Sequence, residues 1–229
     1  MKKATNGTQP SRRSTVAVIG DASCKPNAKT ELHAQTLGTL LVDSGYRIIT
    51  GGMGGIMEAA CRGAKESRHY REGDTVGLLP GHTPGAANSF VDIIIPTGLD
   101  YGRNSLVAHS DAVVAIGGGA GTLSEICYAW MYKRLIIALG EEGWAGKLAG
   151  EKLDQRIRYE SIPDDRIYAA GDPQKVIEFL SRLLPLYTPR NANREGPVSC
   201  RAPVFRFPFG ARCWLLRQHF AAIGIVNGK

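Results

Sequence analysis

The sequence lacks any apolar run near the ~18 residues of a spanning helix. Its N-terminal stretch also lacks the apolar segment of about 7–15 residues that an export signal requires. The apolar run after Ser11-Arg12-Arg13-Ser14 stops at Gly20, so it reads as a first core strand and a cytoplasmic protein is expected. Cysteine is scarce: Cys24, Cys61, Cys127, Cys200 and Cys213 are odd in number, and no two are spaced C-x-x-C. That pattern excludes a disulfide framework and a closed zinc ligand set, leaving reduced thiols and no metal site as the expectation. Acidic residues are almost absent from the two ends. Residues 1–15 carry four bases and no acid, and residues 186–229 carry seven bases against Glu195 alone. Residues 16–185 therefore keep 17 bases and 20 acids, so the formal charge of +7 belongs to the tails and the body is slightly acidic. A body without basic excess does not attract a phosphate backbone, and no nucleic-acid or membrane partner is expected.

The 229 residues suffice for one domain with a large core. Residues 1–14 are polar and basic and read as a disordered arm. From 15 to 185, short β-branched runs alternate with helical patterns. Strands are expected at 15–20, 46–50, 75–79, 91–95, 112–116, 135–139 and 166–169. Helices are expected at 29–44, 56–66, 104–110 and 122–132, with a last one beginning near Asp172-Pro173, an N-cap followed by proline at N1. The alternation predicts βαβ units: a Rossmann-like, doubly wound parallel sheet with helices on both faces, an α/β fold in a single domain. Residues 186–229 change character, with Phe205, Phe207 and Phe209 among prolines. They read either as an extension that packs on the body or a partner, or as a poorly ordered tail.

Chemistry concentrates where strands end in glycine. Gly117-Gly118-Gly119-Ala120-Gly121-Thr122-Leu123-Ser124-Glu125 follows a strand and opens a helix. Glycines allow a tight turn and close backbone approach, and free N–H groups with the helix dipole favour a phosphate there. Thr122 adds a hydroxyl, and Glu125 lies one turn into the helix. Gly51-Gly52-Met53-Gly54-Gly55 makes a second strand–glycine–helix junction, and Gly20-Asp21-Ala22-Ser23 is a third small-residue turn. Such a turn can also serve only helix–strand packing, but several together can share one ligand. The order G-x-G-x-x-G with an acidic residue ~20 positions on is incomplete, and no Lys-Ser/Thr follows the glycines. Neither the dinucleotide fingerprint nor a Walker loop is present.

At these positions the chain resembles the LONELY GUY superfamily of Rossmann-like proteins, the cytokinin-activating phosphoribohydrolases once named lysine decarboxylases. Within it, the chain is more similar to the branch that includes molybdenum cofactor carrier proteins. The resemblance rests on Gly20 with Ser23, the 51–55 loop, Gly102-Arg103-Asn104, Ser110-Asp111-Ala112 and 117–125. In the hydrolase branch the glycine motif begins Pro-Gly-Gly and ends in a glutamate paired with an upstream arginine followed by lysine. Here Gly117 stands in place of the proline and Asn104 in place of the lysine, while Arg103 and Glu125 match. The resemblance implies a ligand site made of Gly20, Ser23, Gly51, Gly52, Gly54, Gly55, Arg103, Asn104, Gly118, Gly119, Gly121 and Thr122. It implies a phosphorylated, nucleotide-like or pterin ligand, with molybdenum cofactor as the specific candidate, and a homo-oligomer. The alternative is a nucleoside 5′-monophosphate phosphoribohydrolase in which Glu125 and Arg103 are catalytic.

Overall fold

The structure, a computed structural model, describes residues 12–23 and 28–187. Most of the expected basic arm and nearly all of the C-terminal extension lie outside the described residues. Seven strands are described: Thr15–Gly20 (β1), Arg47–Thr50 (β2), Thr75–Leu79 (β3), Ile93–Pro96 (β4), Ala112–Ile116 (β5), Leu135–Leu139 (β6) and Ile167–Ala170 (β7). They form one all-parallel sheet in the order β4-β3-β2-β1-β5-β6-β7. Six α-helices are described: Lys29–Asp43 (α1), Ile56–Glu66 (α2), Asn104–Ala108 (α3), Ala120–Met131 (α4), Gly143–Leu148 (α5) and Pro173–Leu183 (α6). This is the Rossmann-like α/β architecture that the alternating pattern predicts.

The apolar strand runs are continuous because both sheet faces are covered. Val16, Val18, Val114, Ile116 and Ile137 join a core roofed by Leu37 and Leu41 of α1, Ala60 of α2 and Val176 and Leu180 of α6. Ala17, Ile19, Val113, Ala115 and Ile136 join the opposite core with Val107 of α3, Ile126 and Trp130 of α4 and Ala145 of α5. Trp130 is buried, with the Arg158 guanidinium 3.8 Å from its ring centre. Helices α1 and α2 touch backbone to backbone. A Cβ at Gly38 would lie 2.0 Å from the Ala60 carbonyl oxygen, and one at Gly63 would lie 1.8 Å from that of Gln35.

The N-terminal edge of the sheet is tied by buried carboxylates. Asp111 accepts the Thr15 N–H at 2.8 Å and the Arg12 guanidinium through both its oxygens, and Asp74 pairs with Arg13. Arg12 and Arg13 fall in the stretch expected as a disordered arm; here they are hydrogen-bonded to the body.

Most bounds fall within two residues of expectation, and three departures bear on the site or the sheet edge. Helix α4 begins at Ala120 with Gly119 as N-cap, two residues before the expected start, because two residues of the glycine motif are themselves helical. The strand expected at 91–95 is Ile93–Pro96 at the sheet edge, with Ile93, Ile94 and Ile95 all exposed. Helix α5 has no counterpart in the sequence pattern, being only six residues long with two glycines. No helix among the described residues is long and apolar enough to cross a membrane.

Candidate functional site

The strand order reverses between β1 and β5. In an open parallel sheet the connections there leave to opposite faces, opening a crevice beyond the strand C-termini. Gly20 pairs with Ile116 across that point, which sets the 20–23 turn beside the 117–119 loop. A Cβ at Gly20 would lie 2.4 Å from the Ile116 carbonyl oxygen, so only glycine permits this approach. A cavity of about 300 Å³ opens there. Its lining includes Gly20, Arg103, Asn104, Gly119, Gly121, Thr122 and Glu125, seven residues expected at the site, together with Asp21, Ala22, Met53, Met57 and Tyr101.

The remaining expected residues surround the cavity without lining it. Gly118 has φ +93 and carries the turn into α4; a Cβ there would meet the Thr122 side chain at 2.4 Å. Gly55 has φ +65 and packs on the backbone of Asp21, Ala22 and Ser23, which keeps Ser23 against the second glycine loop. Gly52 has φ +77; its N–H is taken by Thr50 Oγ1 at 3.0 Å and its carbonyl by Asn88. Gly54 sits against the Ala22 carbonyl. Gly51 leaves room for a side chain from elsewhere: a Cβ on it would fall 2.5 Å from Arg103 Nη1 and 2.6 Å from Nη2.

The glycine motif is braced from two directions. In the first turn of α5 the N–H groups of Trp144 and Ala145 donate to the carbonyls of Gly118 and Gly117 at 3.0 Å each. The Gly118 N–H donates to Asp21 Oδ2 at 2.9 Å. The first amide bond into α4 runs from Leu123 N–H to the Gly119 carbonyl. The N–H groups of Ala120, Gly121 and Thr122 precede it, and no side chain caps them. These are the orphan donors of a helix start, facing a crevice with a favourable dipole.

Arg103 and Glu125 meet in this crevice. Each is only 6% exposed, and Arg103 Nη1 donates to Glu125 Oε1 at 3.2 Å. That is the only hydrogen bond of the guanidinium among the described residues, and its buried Nε has no partner. A buried guanidinium normally satisfies several of its five donors. Burial pushes the Glu125 carboxyl up to about 7, with Arg103 pulling the other way. The same burial lowers the Arg103 pKa against the support of Glu125. Asn104, where the hydrolase branch has lysine, is buried and donates to Ser124 Oγ at 2.8 Å, tying α3 to the first turns of α4. Tyr101, 79% exposed, stands at the cavity rim within a 3₁₀ turn, Asp100–Arg103.

Asp21, Ala22, Met53, Met57 and Tyr101 are the lining residues that sequence reading did not assign to the site. Asp21 lay in a recognised turn, but its partner Gly118 is 97 positions away and only the strand order joins them. No group of three or more His, Cys, Asp or Glu side chains suited to a metal ion occurs among the described residues.

Comparisons with known proteins find relatives of the same fold. An uncharacterized protein of Archaeoglobus fulgidus is 39% identical over 115 residues, covering 50% of this chain and 72% of its own. The molybdenum cofactor binding protein of Rippkaea orientalis superposes with a TM-score of 0.61 at 30% identity, covering 75% of this chain and 98% of its own. The Moco carrier protein of Chlamydomonas reinhardtii gives a TM-score of 0.61 at 29% identity, over 76% and 99% of the two chains. Residues 13–177, which contain every element from β1 to β7 and all of the crevice, match the SLOG cluster4 family, and the chain belongs to that family.

Proposed function

We propose that the chain binds a phosphate-bearing small molecule, nucleotide-like or pterin, in the crevice between β1 and β5, and acts as a carrier of it. The observation that carries this reading is Arg103, a buried cation with one hydrogen bond and an unpartnered Nε beside three orphan amides of α4. A phosphate would satisfy those amides, the Thr122 hydroxyl and the spare guanidinium donors together. Molybdenum cofactor is the specific candidate cargo, supported by the similarity to proteins described as binding or carrying it. The cavity of about 300 Å³ lies at the small end of the range for ligand pockets.

Native mass spectrometry of the protein purified without dialysis tests the reading directly, by the mass of a co-purified phosphorylated compound. Calorimetry with adenosine monophosphate and inorganic phosphate tests the site. Arg103→Ala is expected to weaken both by on the order of 10- to 100-fold, the worth of a hydrogen bond to a charged group. Equal affinity in a folded Arg103→Ala protein would refute it.

A second reading is favoured by one observation: a carboxyl with its pKa near neutrality facing the same crevice. In a nucleoside-monophosphate phosphoribohydrolase, Arg103 would hold the phosphate and Glu125 would act on water or the sugar at the N-glycosidic bond. Free base and ribose 5-phosphate released from adenosine monophosphate, and lost in Glu125→Gln, would establish this reading over the carrier. Assembly belongs to the same proposal. A twofold homodimer is expected, with the exposed Ile93, Ile94 and Ile95 of the edge strand giving an apolar surface to cover. Sedimentation as a monomer at micromolar concentration would refute it.

A further inference from the structure

The carboxylate of Asp21 occupies a position that an anionic ligand would want. Its Oδ2 accepts the Gly118 N–H at 2.9 Å and lies 3.0 Å from where a Cβ of Gly117 would be, so it rests directly on the glycine loop. The other lining charges are Arg103 and Glu125. One guanidinium thus faces two carboxyl groups, one of them already its partner. A phosphate dianion entering beside Asp21, and beside Glu125 whenever that group is ionised, would meet repulsion that the single arginine does not offset. Yet Arg103 keeps donors unused, and the amides of Ala120, Gly121 and Thr122 are uncapped. The cationic half of an anion site is present, with an internal anion laid on its edge. Asp21 is solvent-exposed and its backbone is fixed by the Ile56 N–H to Asp21 carbonyl bond at 3.0 Å, so the side chain can swing outward without unravelling the turn.

Building on the phosphate-binding reading above, we infer that Asp21 is a specificity-determining residue, a displaceable internal anion that competes with the ligand's phosphate for the glycine loop. It withdraws when a ligand brings enough contacts of its own to replace it. Small bare anions are therefore held weakly, and a phosphate carried on a larger body that reaches Tyr101, Met53 and Met57 is preferred.

The test is calorimetry on the full chain with inorganic phosphate and adenosine monophosphate, comparing the unaltered protein with Asp21→Asn and Asp21→Ser. Asparagine keeps an oxygen for the Gly118 N–H and loses the charge; serine removes the carboxylate altogether. Both variants should bind inorganic phosphate at least about tenfold more tightly, as expected from removing a like charge in a partly desolvated site. The gain for adenosine monophosphate should be smaller. Asp21→Asn with Arg103→Ala should lose the gain, which locates it in this crevice. Unchanged or weaker phosphate binding in both variants, with the unaltered protein still binding, would overturn the inference and leave the phosphate site standing. Absence of binding by all variants to either probe would remove the phosphate site and the inference with it.

Discussion

Replacing Glu125 by glutamine isolates the energetics of the buried pair. In the folded chain the Glu125 carboxyl is pushed from 4.5 up to about 7 by burial, which penalises the carboxylate more than Arg103 rewards it. At about 1.36 kcal/mol per decade, the ionised form is disfavoured by roughly 3 kcal/mol relative to the unfolded chain. The folded state holds a proton that the unfolded state releases between about 4.5 and 7, so stability from this group falls as pH rises through that window and is level above it. Glutamine has nearly the shape of the protonated acid and does not titrate. At pH 5 the two proteins are therefore expected to be of near-equal stability, since both leave Arg103 facing a neutral partner. At pH 8 Glu125→Gln should be the more stable by roughly 3 kcal/mol. Urea unfolding followed by circular dichroism across pH 5–8 measures this, and the difference between the two curves cancels the other titrating groups. A difference that stays flat over that range would refute the reasoning, because Glu125 would then ionise as an ordinary surface glutamate. This cost also bears on function. A buried ion pair is weak evidence for stability, so the arrangement is better explained by what enters the crevice than by what it adds to the fold.

Three further predictions concern the backbone. A Cβ at Gly121 meets nothing within 4 Å, so Gly121→Val should fold and lose phosphate binding by calorimetry. Gly118, at φ +93 and against Thr122, should lose stability by at least about 1–2 kcal/mol in thermal unfolding when made valine, and cannot serve as a clean binding test. Lys133 holds φ +57 just beyond α4, and Lys133→Gly should raise stability by roughly 1 kcal/mol in urea. No gain there would mean that the lost lysine contacts, including its approach to the Tyr159 ring, outweigh the relief.

The strands and long helices were legible because their patterns are local. The run Ala112–Ile116 can be read as a doubly buried strand without knowing its neighbours, and the glycines after it mark the loop. Glu125 could be read from its place one turn into the glycine-motif helix, but Arg103 was reached only through resemblance, since nothing local distinguishes it from a surface arginine. Their contact depends on α3 packing on α4 across 22 positions. The exposed edge of the sheet was illegible for the opposite reason. Ile93-Ile94-Ile95 has the composition of an interior strand and lies at the end of the strand order, where composition carries no information on neighbours. Helix α5 is too short for periodicity, and what holds it is the pair of amide bonds to Gly117 and Gly118.

The missing side chain at Gly51 bears on how this site would be mapped. The guanidinium of Arg103 lies where a side chain at position 51 would begin, with Met57 Sδ 2.7 Å from the same point. Even Gly51→Ala would have to evict the arginine, and binding would fall as if a contact had been cut. A mutational scan scored on lost binding would assign the residue to the ligand surface, although its part is to be absent. The two positions, 52 apart in sequence, are expected to vary together: a chain that acquires a side chain at 51 should carry a smaller residue at 103, and should have given up the anion with it.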